Sequence, residues 1–204
     1  MAILEAALPE EALYGFRTSR HGPIAAAEFE TWPQEPDNPM ELLEGWLLPM
    51  SPGNFVTGEF LTDLAVALRS LVKSKGWRIS PDARHRLPQP GDTVVFPDLV
   101  IHCTSQVEYH PGTETVDRVP EMVIELLSKE TAARDRGPDG AKFLAYQLAG
   151  VREYYYAWPD GREAAGFRLE NGVFVPIEPN AEGFFVSPLL GARLRLIPAA
   201  VDVE

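Results

Sequence analysis

Cysteine is almost missing from this chain of 204 residues: Cys103 stands alone. An internal disulfide framework is therefore excluded, and the composition fits a reducing cytosol. Histidine is also scarce. His102, Cys103 and His110 superficially suggest zinc, but no fourth ligand follows at a suitable spacing, so a structural or incidental role is expected. The same residues lack the matched orienting group of a thiol protease. No apolar run approaches the length of a membrane span, and Met1 to Pro9 lacks a basic region followed by an apolar stretch of signal length. The expectation is a soluble, cytoplasmic protein without membrane contact. Positive charge is in short supply as well, with 18 Lys and Arg against 30 Asp and Glu and a formal net charge of −12. That balance is unfavourable for nucleic-acid binding, where phosphate contacts provide much of the affinity.

The deficit is uneven. Residues 1–63 carry eleven acids against Arg17 and Arg20, whereas residues 69–86 carry Arg69, Lys73, Lys75, Arg78, Arg84 and Arg86 against Asp82. The second segment reads either as a local basic face or as a solvated helix end and loop. Proline is abundant, with 19 residues marking turns and loop ends. The length suits one domain with a full core, preceded by a loosely packed arm over residues 1–24.

Ala25–Thr31 can form one or two helical turns before a proline-rich loop over residues 33–39. Met40–Leu43, the turn Glu44-Gly45 and Trp46–Met50 predict a β-hairpin. Phe55–Lys75 is the best helix, with Phe60, Leu61, Leu64, Ala65, Leu68, Leu71 and Val72 on one apolar face and Gly76 as its stop. A strand near Trp77–Ser80, one over Val94–Ile101 and one over Met122–Leu127 follow. A loop over His102–Pro120 separates the last two. Ser128–Gly140 is a polar connection to a short helix, Ala141–Ala149, closed by Gly150. Glu153–Trp158 is an aromatic strand. Asn171-Gly172 joins Ala164–Glu170 to Val173–Ile177 as a hairpin, and Phe184–Val186 and Ala192–Ile197 add edge strands. The pattern is that of one α/β or α+β domain.

Two acids interrupt the most apolar runs. Asp98 lies within Val94–Ile101 and Glu125 within Met122–Leu127. An ionised carboxylate in such a run costs several kcal/mol unless a cation or hydrogen bonds compensate it. Two of them on neighbouring strands suggest a divalent metal held by hard oxygen donors. In the blander reading, Asp98 is a turn acid and Glu125 pairs with an arginine. Lys142, on the short helix, either reaches solvent or brings positive charge to the same place, with Lys129 as its rival. Ser128 and Thr131 can cap a turn, and Arg136–Gly140 reads as a turn without the phosphate-loop pattern. Tyr154, Tyr155, Tyr156 and Trp158 either stack bases or fill the core. Residues 184–197 carry apolar surface suited to a homodimer.

Longer segments carry a resemblance. Phe96-Pro97-Asp98-Leu99-Val100-Ile101, Val123-Ile124-Glu125-Leu126-Leu127-Ser128 with Thr131, then Asp135, Lys142, Tyr146 and Gly150-Val151-Arg152-Glu153-Tyr154-Tyr155 form an ordered set. Together with Glu41-Leu42-Leu43-Glu44-Gly45 and Met50-Ser51-Pro52, they resemble the bacterial proteins described as "putative restriction endonuclease". That family is a domain of unknown function within the PD-(D/E)XK nuclease superfamily. The likeness covers about residues 38–160. It implies a restriction-endonuclease-like core, a mixed β-sheet flanked by helices; with the strand pattern that follows, the expectation is one domain over residues 25–204 that ends in C-terminal β-hairpins.

The resemblance also implies Asp98 and Glu125 as ligands of Mg2+ or Mn2+, with the Leu126 carbonyl as a third protein ligand. The superfamily's lysine two residues after the second acid is replaced here by Leu127. Lys142 matches the helix position used instead in this branch, where it orients or helps deprotonate the attacking water. Glu41 matches an acid that would reach the metal through water. Trp46 stands where an acid is common, Thr57 and Gly58 stand near a usual histidine, and the interval to Lys142 is long. Either Asp135 or Asp139 therefore fills the family's aspartate position. The implied activity is metal-dependent cleavage of DNA phosphodiester bonds. The rivals are a nuclease fold without turnover that serves as a binding or assembly module, and a hydrolase of small phosphate esters.

Overall fold

The computed structural model describes residues 23–32, 39–51, 54–110, 112–197 and the backbone of 202–203. Residues 1–22 of the expected arm lie outside these, as does most of the proline-rich loop. The described end of the arm is packed: Ile24 is buried and its N–H donates to Gly45 O at 2.8 Å.

In chain order the elements are α1 (Ala26–Phe29), β1 (Met40–Leu43), β2 (Trp46–Pro49), α2 (Phe55–Ser74), β3 (Arg78–Pro81), β4 (His85–Leu87) and β5 (Thr93–Val95). They continue as β6 (Leu99–His102), β7 (Met122–Leu126), α3 (Ala132–Asp135), α4 (Ala141–Ala149), β8 (Glu153–Ala157), β9 (Ala164–Glu170) and β10 (Val173–Ile177). Last come β11 (Phe185–Ser187), β12 (Ala192–Arg195) and β13 (Asp202–Val203). Three sheets result, with strand orders β2-β1-β5-β4, β10-β9-β8-β7-β6-β3 and β11-β12-β13. In the six-stranded sheet only β7 and β8 run parallel. A parallel neighbour requires a crossover, and α3 and α4 form it.

The expected hairpins and the two main helices stand where periodicity puts them. Asn54 caps α2 by accepting from Thr57 N–H at 3.0 Å. Phe60, Leu64, Leu68 and Val72 bury its apolar stripe against the sheet. At its end Gly76 turns left-handed at φ 71°, and Trp77 N–H donates to Val72 O. That pairing closes the helix with a Schellman arrangement. Gly150, at φ 88°, ends α4 in the same way.

The run Val94–Ile101 is not one strand. Thr93–Val95 belongs to the four-stranded sheet and Leu99–His102 to the six-stranded sheet, so Phe96-Pro97-Asp98 is a crossing between sheets. Proline at the crossing removes a ladder donor where the pairing must break. The polar stretch before it also supplies β4, and the connection over 128–140 holds the short helix α3.

Alternation along β7 sorts the interior. Met122, Ile124 and Leu126 face α2, while Val123 and Leu127 join the cluster around α4. Both faces are covered, which is why the strand reads as nearly continuous apolar sequence. The tyrosine ambiguity resolves toward packing: Tyr154, Tyr155 and Tyr156 are buried, and Tyr154 meets Phe143 edge-on with ring centroids 5.6 Å apart. Residues 184–197 likewise contribute Phe185, Leu189, Leu190, Leu194 and Leu196 to the α2-side core. Most of the apolar surface expected to support a homodimer is therefore internal.

The α3–α4 turn depends on Gly140. A Cβ built there would lie 2.6 Å from Arg134 O, a backbone atom that cannot swing aside. Gly140→Ala should therefore destabilise the fold by about 1–3 kcal/mol, as overpacked sites do. Chemical denaturation reads this directly. A change within about 0.5 kcal/mol, the size of an ordinary surface substitution, would mean that the turn gives way freely.

Candidate active site

The pairing of β6 with β7 sets Leu99 opposite Ile124. Extending that register by one residue places Asp98 opposite Glu125, on the face that α4 covers. Asp98 Oδ2 accepts from Leu126 N–H at 2.6 Å. A strand residue presents its N–H and C=O toward the same neighbour, so the Leu126 carbonyl is also on the Asp98 side. Glu125 Oε1 is held at 2.7 Å by Lys142 Nζ and at 2.7 Å by Tyr146 Oη–H. Lys142 and Tyr146 are one helical turn apart on α4, and that spacing puts both side chains on one acid.

Each acid thus has one anchored oxygen. Asp98 Oδ1 and Glu125 Oε2 accept no hydrogen bond from the described residues, and neither atom is among the fully enclosed polar atoms without a partner. Both residues line a cavity of about 70 Å³, together with Ser128, Arg134, Asp135 and Lys142.

Lys142 is 2% exposed and Glu41, at the start of β1, is fully buried. Lys142 Nζ donates to Glu41 Oε1 at 3.0 Å, and Phe96 N–H donates to the same oxygen at 2.8 Å. Arg134 closes the network. Its Nη2 lies 3.2 Å from Glu41 Oε2 without hydrogen-bond alignment, its Nε donates to Asp135 Oδ1 at 3.2 Å, and its Nη1 donates to Pro49 O at 2.7 Å. Arg134 carried no recognisable sequence signal, since a lone arginine in a polar connection normally reaches solvent.

The structure brings all four expected side chains together: Asp98, Glu125, Lys142 and Glu41. Asp135 joins them, with Oδ1 at 4.0 Å from Lys142 Nζ, whereas Asp139 is exposed. Lys129 is exposed too and does not compete for the cavity. Ser128 does cap the following turn, accepting from Thr131 N–H at 3.1 Å, and its Oγ also meets Ser51 Oγ at 2.7 Å.

Four carboxyl groups therefore face two cations, a formal surplus of two negative charges when all four acids are ionised, in a largely buried site. Burial and the neighbouring acids Asp98, Asp135 and Glu41 push Glu125 well above the usual carboxylate range, against the pull of Lys142. Burial likewise pushes Asp98 up to about 6, opposed by the Leu126 N–H and the Lys142 charge. Glu41 moves the other way. Burial would raise it, but Lys142, Arg134 and the Phe96 N–H outweigh that and hold it below its ordinary value. Lys142 is raised despite burial, because Glu125, Glu41 and Asp135 surround it.

The other metal-like residues separate. His85 Nε2 and His102 Nε2 meet at 2.9 Å in a stacked, buried pair, and burial lowers both imidazoles to about 4. His102 thus serves the junction of β4 with β6, as its incidental reading expected. Among the described residues, no three His, Cys, Asp or Glu side chains form a complete cation site, and no helix is long and apolar enough to cross a membrane.

Comparison with known proteins finds no match among curated proteins. A solved structure, a putative nuclease belonging to DUF820 from Anabaena variabilis ATCC 29413, superposes with a TM-score of 0.64 at 18% identity. The match covers 83% of this chain and 92% of that one, and at such identity it establishes a shared α+β fold. A family match extends over residues 26–197, which includes every element from α1 to β12. The chain belongs to the Uma2 family, described as putative restriction endonuclease.

Proposed function

We propose that this protein hydrolyses phosphodiester bonds in DNA with the help of Mg2+ or Mn2+, and that Asp98, Glu125 and the Leu126 carbonyl hold the ion. The observation that carries this reading is the pair of facing carboxylates, each with one oxygen anchored and the other unclaimed beside a polar cavity. The donors are all hard oxygens, and with the four acids ionised the surplus of two negative charges matches a divalent cation. Magnesium commonly takes only one or two carboxylates and keeps several waters, so a third acidic side chain is not required. The family description supports nucleic acid as substrate. We also take residues 25–204 as the functional domain.

A divalent cation bound here would supply Lewis-acid charge to the phosphate group and its leaving oxygen. The protein's own residues do the positioning. Lys142 and Tyr146 fix the Glu125 carboxylate through Oε1. Lys142, raised by its acidic neighbours, stays protonated near neutral pH, so it serves as a fixed positive charge and orienting donor, not as a base. Arg134 has each nitrogen engaged with Glu41, Asp135 or Pro49. It braces the hairpin against α3. Glu41 joins both cations and has no role as a direct ligand.

Plasmid DNA incubated with the protein and millimolar Mg2+ should be nicked or cut, and EDTA should stop the reaction. A substrate panel of small phosphate esters should give no comparable turnover. The pH dependence follows from Asp98. Its folded value of about 6 lies above the ordinary 3.8, so between these values the folded state keeps a proton that the unfolded chain has lost. This contribution makes the metal-free protein less stable as pH rises from about 4 to about 6, with no further change above. The ion needs both carboxylates ionised, and Glu125 is raised as well, so the Mg2+-induced rise in Tm should be weak below pH 6 and grow as the pH is taken above it. Thermal melts with and without Mg2+ test this. A rise that ignores pH, or that persists in Asp98→Asn, would place the ion elsewhere.

A further inference from the structure

A second cavity, of about 540 Å³, adjoins the first. Phe96 lines both. Asp82 lines the larger one, and its N–H donates to Asp98 O at 3.2 Å, so the wall of this pocket is bonded to the candidate metal ligand. Its volume is in the range of small-molecule sites.

Tyr109 is 62% exposed, although its backbone is fixed by bridging to Val116. A large aromatic left this open on a paired segment offers a stacking face. Arg84 lies over the Phe96 ring at 5.3 Å and is tethered by Nη1 to Glu30 O at 3.3 Å. Its Nη2 makes no hydrogen bond with the described residues and is not enclosed, which leaves a donor on hand. Asp82 and Glu114 stand on the same lining as acceptors.

Two acids beside one arginine disfavour a phosphate as occupant. They suit a neutral planar group that carries both N–H donors and carbonyl acceptors and can stack on an aromatic ring. A nucleobase has that chemistry. We propose that this pocket receives the base next to the scissile phosphate, stacked on Tyr109 and contacted by Arg84. The location of the phosphate rests on the phosphodiesterase reading above. The pocket itself is a separate feature of the lining.

The test uses fluorescence anisotropy in EDTA with a short labelled single-stranded DNA, and with a set of the same strand in which one nucleotide at a time is abasic. Wild-type protein should bind the intact strand roughly tenfold more tightly than one of the abasic strands, the range for loss of one stacked base. Tyr109→Ala should bring that ratio close to one, and Tyr109→Phe should keep it. Tyr109 is exposed, so neither change threatens the fold. Magnesium-dependent cleavage is measured on the same proteins. Cleavage accompanied by a ratio that Tyr109→Ala leaves unchanged overturns the base pocket and spares the phosphodiesterase reading. A Tyr109-dependent ratio in a protein that cuts nothing upholds the pocket and removes that reading. Failure to bind any strand overturns the pocket.

Discussion

Asp98→Asn should abolish DNA cleavage while leaving a folded protein. Asparagine keeps an oxygen to accept from Leu126 N–H, the 2.6 Å bond that now holds the side chain. What it loses is the negative charge at the second oxygen, the one left open to the cavity. Glu125→Gln should behave similarly, because its amide oxygen can still take the Lys142 and Tyr146 bonds at Oε1. Loss of a charged group aimed at the reacting phosphate is expected to cost on the order of 10³-fold or more in kcat/KM. The assay compares initial rates on supercoiled DNA, with Tm recorded for each variant. If both variants keep wild-type rates, hydrolysis occurs elsewhere or comes from a contaminant.

Lys142→Met should carry the largest cost in stability. The amine is 2% exposed and pairs with Glu41 at 3.0 Å and Glu125 at 2.7 Å. Removing one partner of a buried ion pair costs about 3–5 kcal/mol, since the remaining charge is left uncompensated. Glu41 keeps Arg134 nearby, so Glu125 bears most of the loss. Two consequences separate this from a generic packing defect. Combining Lys142→Met with Glu125→Gln should recover part of the stability, as a double-mutant cycle would show. Lowering the pH should also narrow the gap from wild type, because Glu125, already displaced upward by burial, takes a proton and ceases to need the amine. Urea denaturation across pH measures both. A loss below about 1 kcal/mol, the size of an exposed pair, would mean that the amine is solvated. Cleavage by this variant, assayed well below its melting temperature, should also fall, because Glu125 loses its orienting donor.

Buried acids are not equivalent in this protein. Glu153 is as enclosed as Glu125, but Tyr155 Oη, Ser187 Oγ and Leu189 N–H all donate to it, so both of its oxygens are used inside the fold. Glu125 has its donors on one oxygen only. This contrast, and not burial, separates a structural acid from a candidate ligand.

Much of the fold was legible from local pattern. The hairpin at Glu44-Gly45, the stripe Phe60-Leu64-Leu68-Val72, the Gly150 stop and the Asn171-Gly172 turn depend on residues a few places apart, and all appear as expected. The crossing at Phe96–Asp98 did not, because an apolar run looks the same whether its strand stays in one sheet or passes to another. Asp98 and Glu125 stood out as acids in apolar runs, whereas Lys142 and Glu41 were singled out through family likeness, and the structure brings the four side chains together. Arg134 was not, because its environment is made by a hairpin 85 residues away.

From sequence alone come the residue types, their local conformations and the excess of acid that any partner must meet, since these follow from short-range geometry and formal charge. The tertiary structure decides which oxygens are spent and which remain. Glu41 reaches Lys142 across 101 residues, and Asp98 reaches the Leu126 N–H across 28. Such contacts depend on how sheets and helices meet in space, and no periodicity along the chain encodes that.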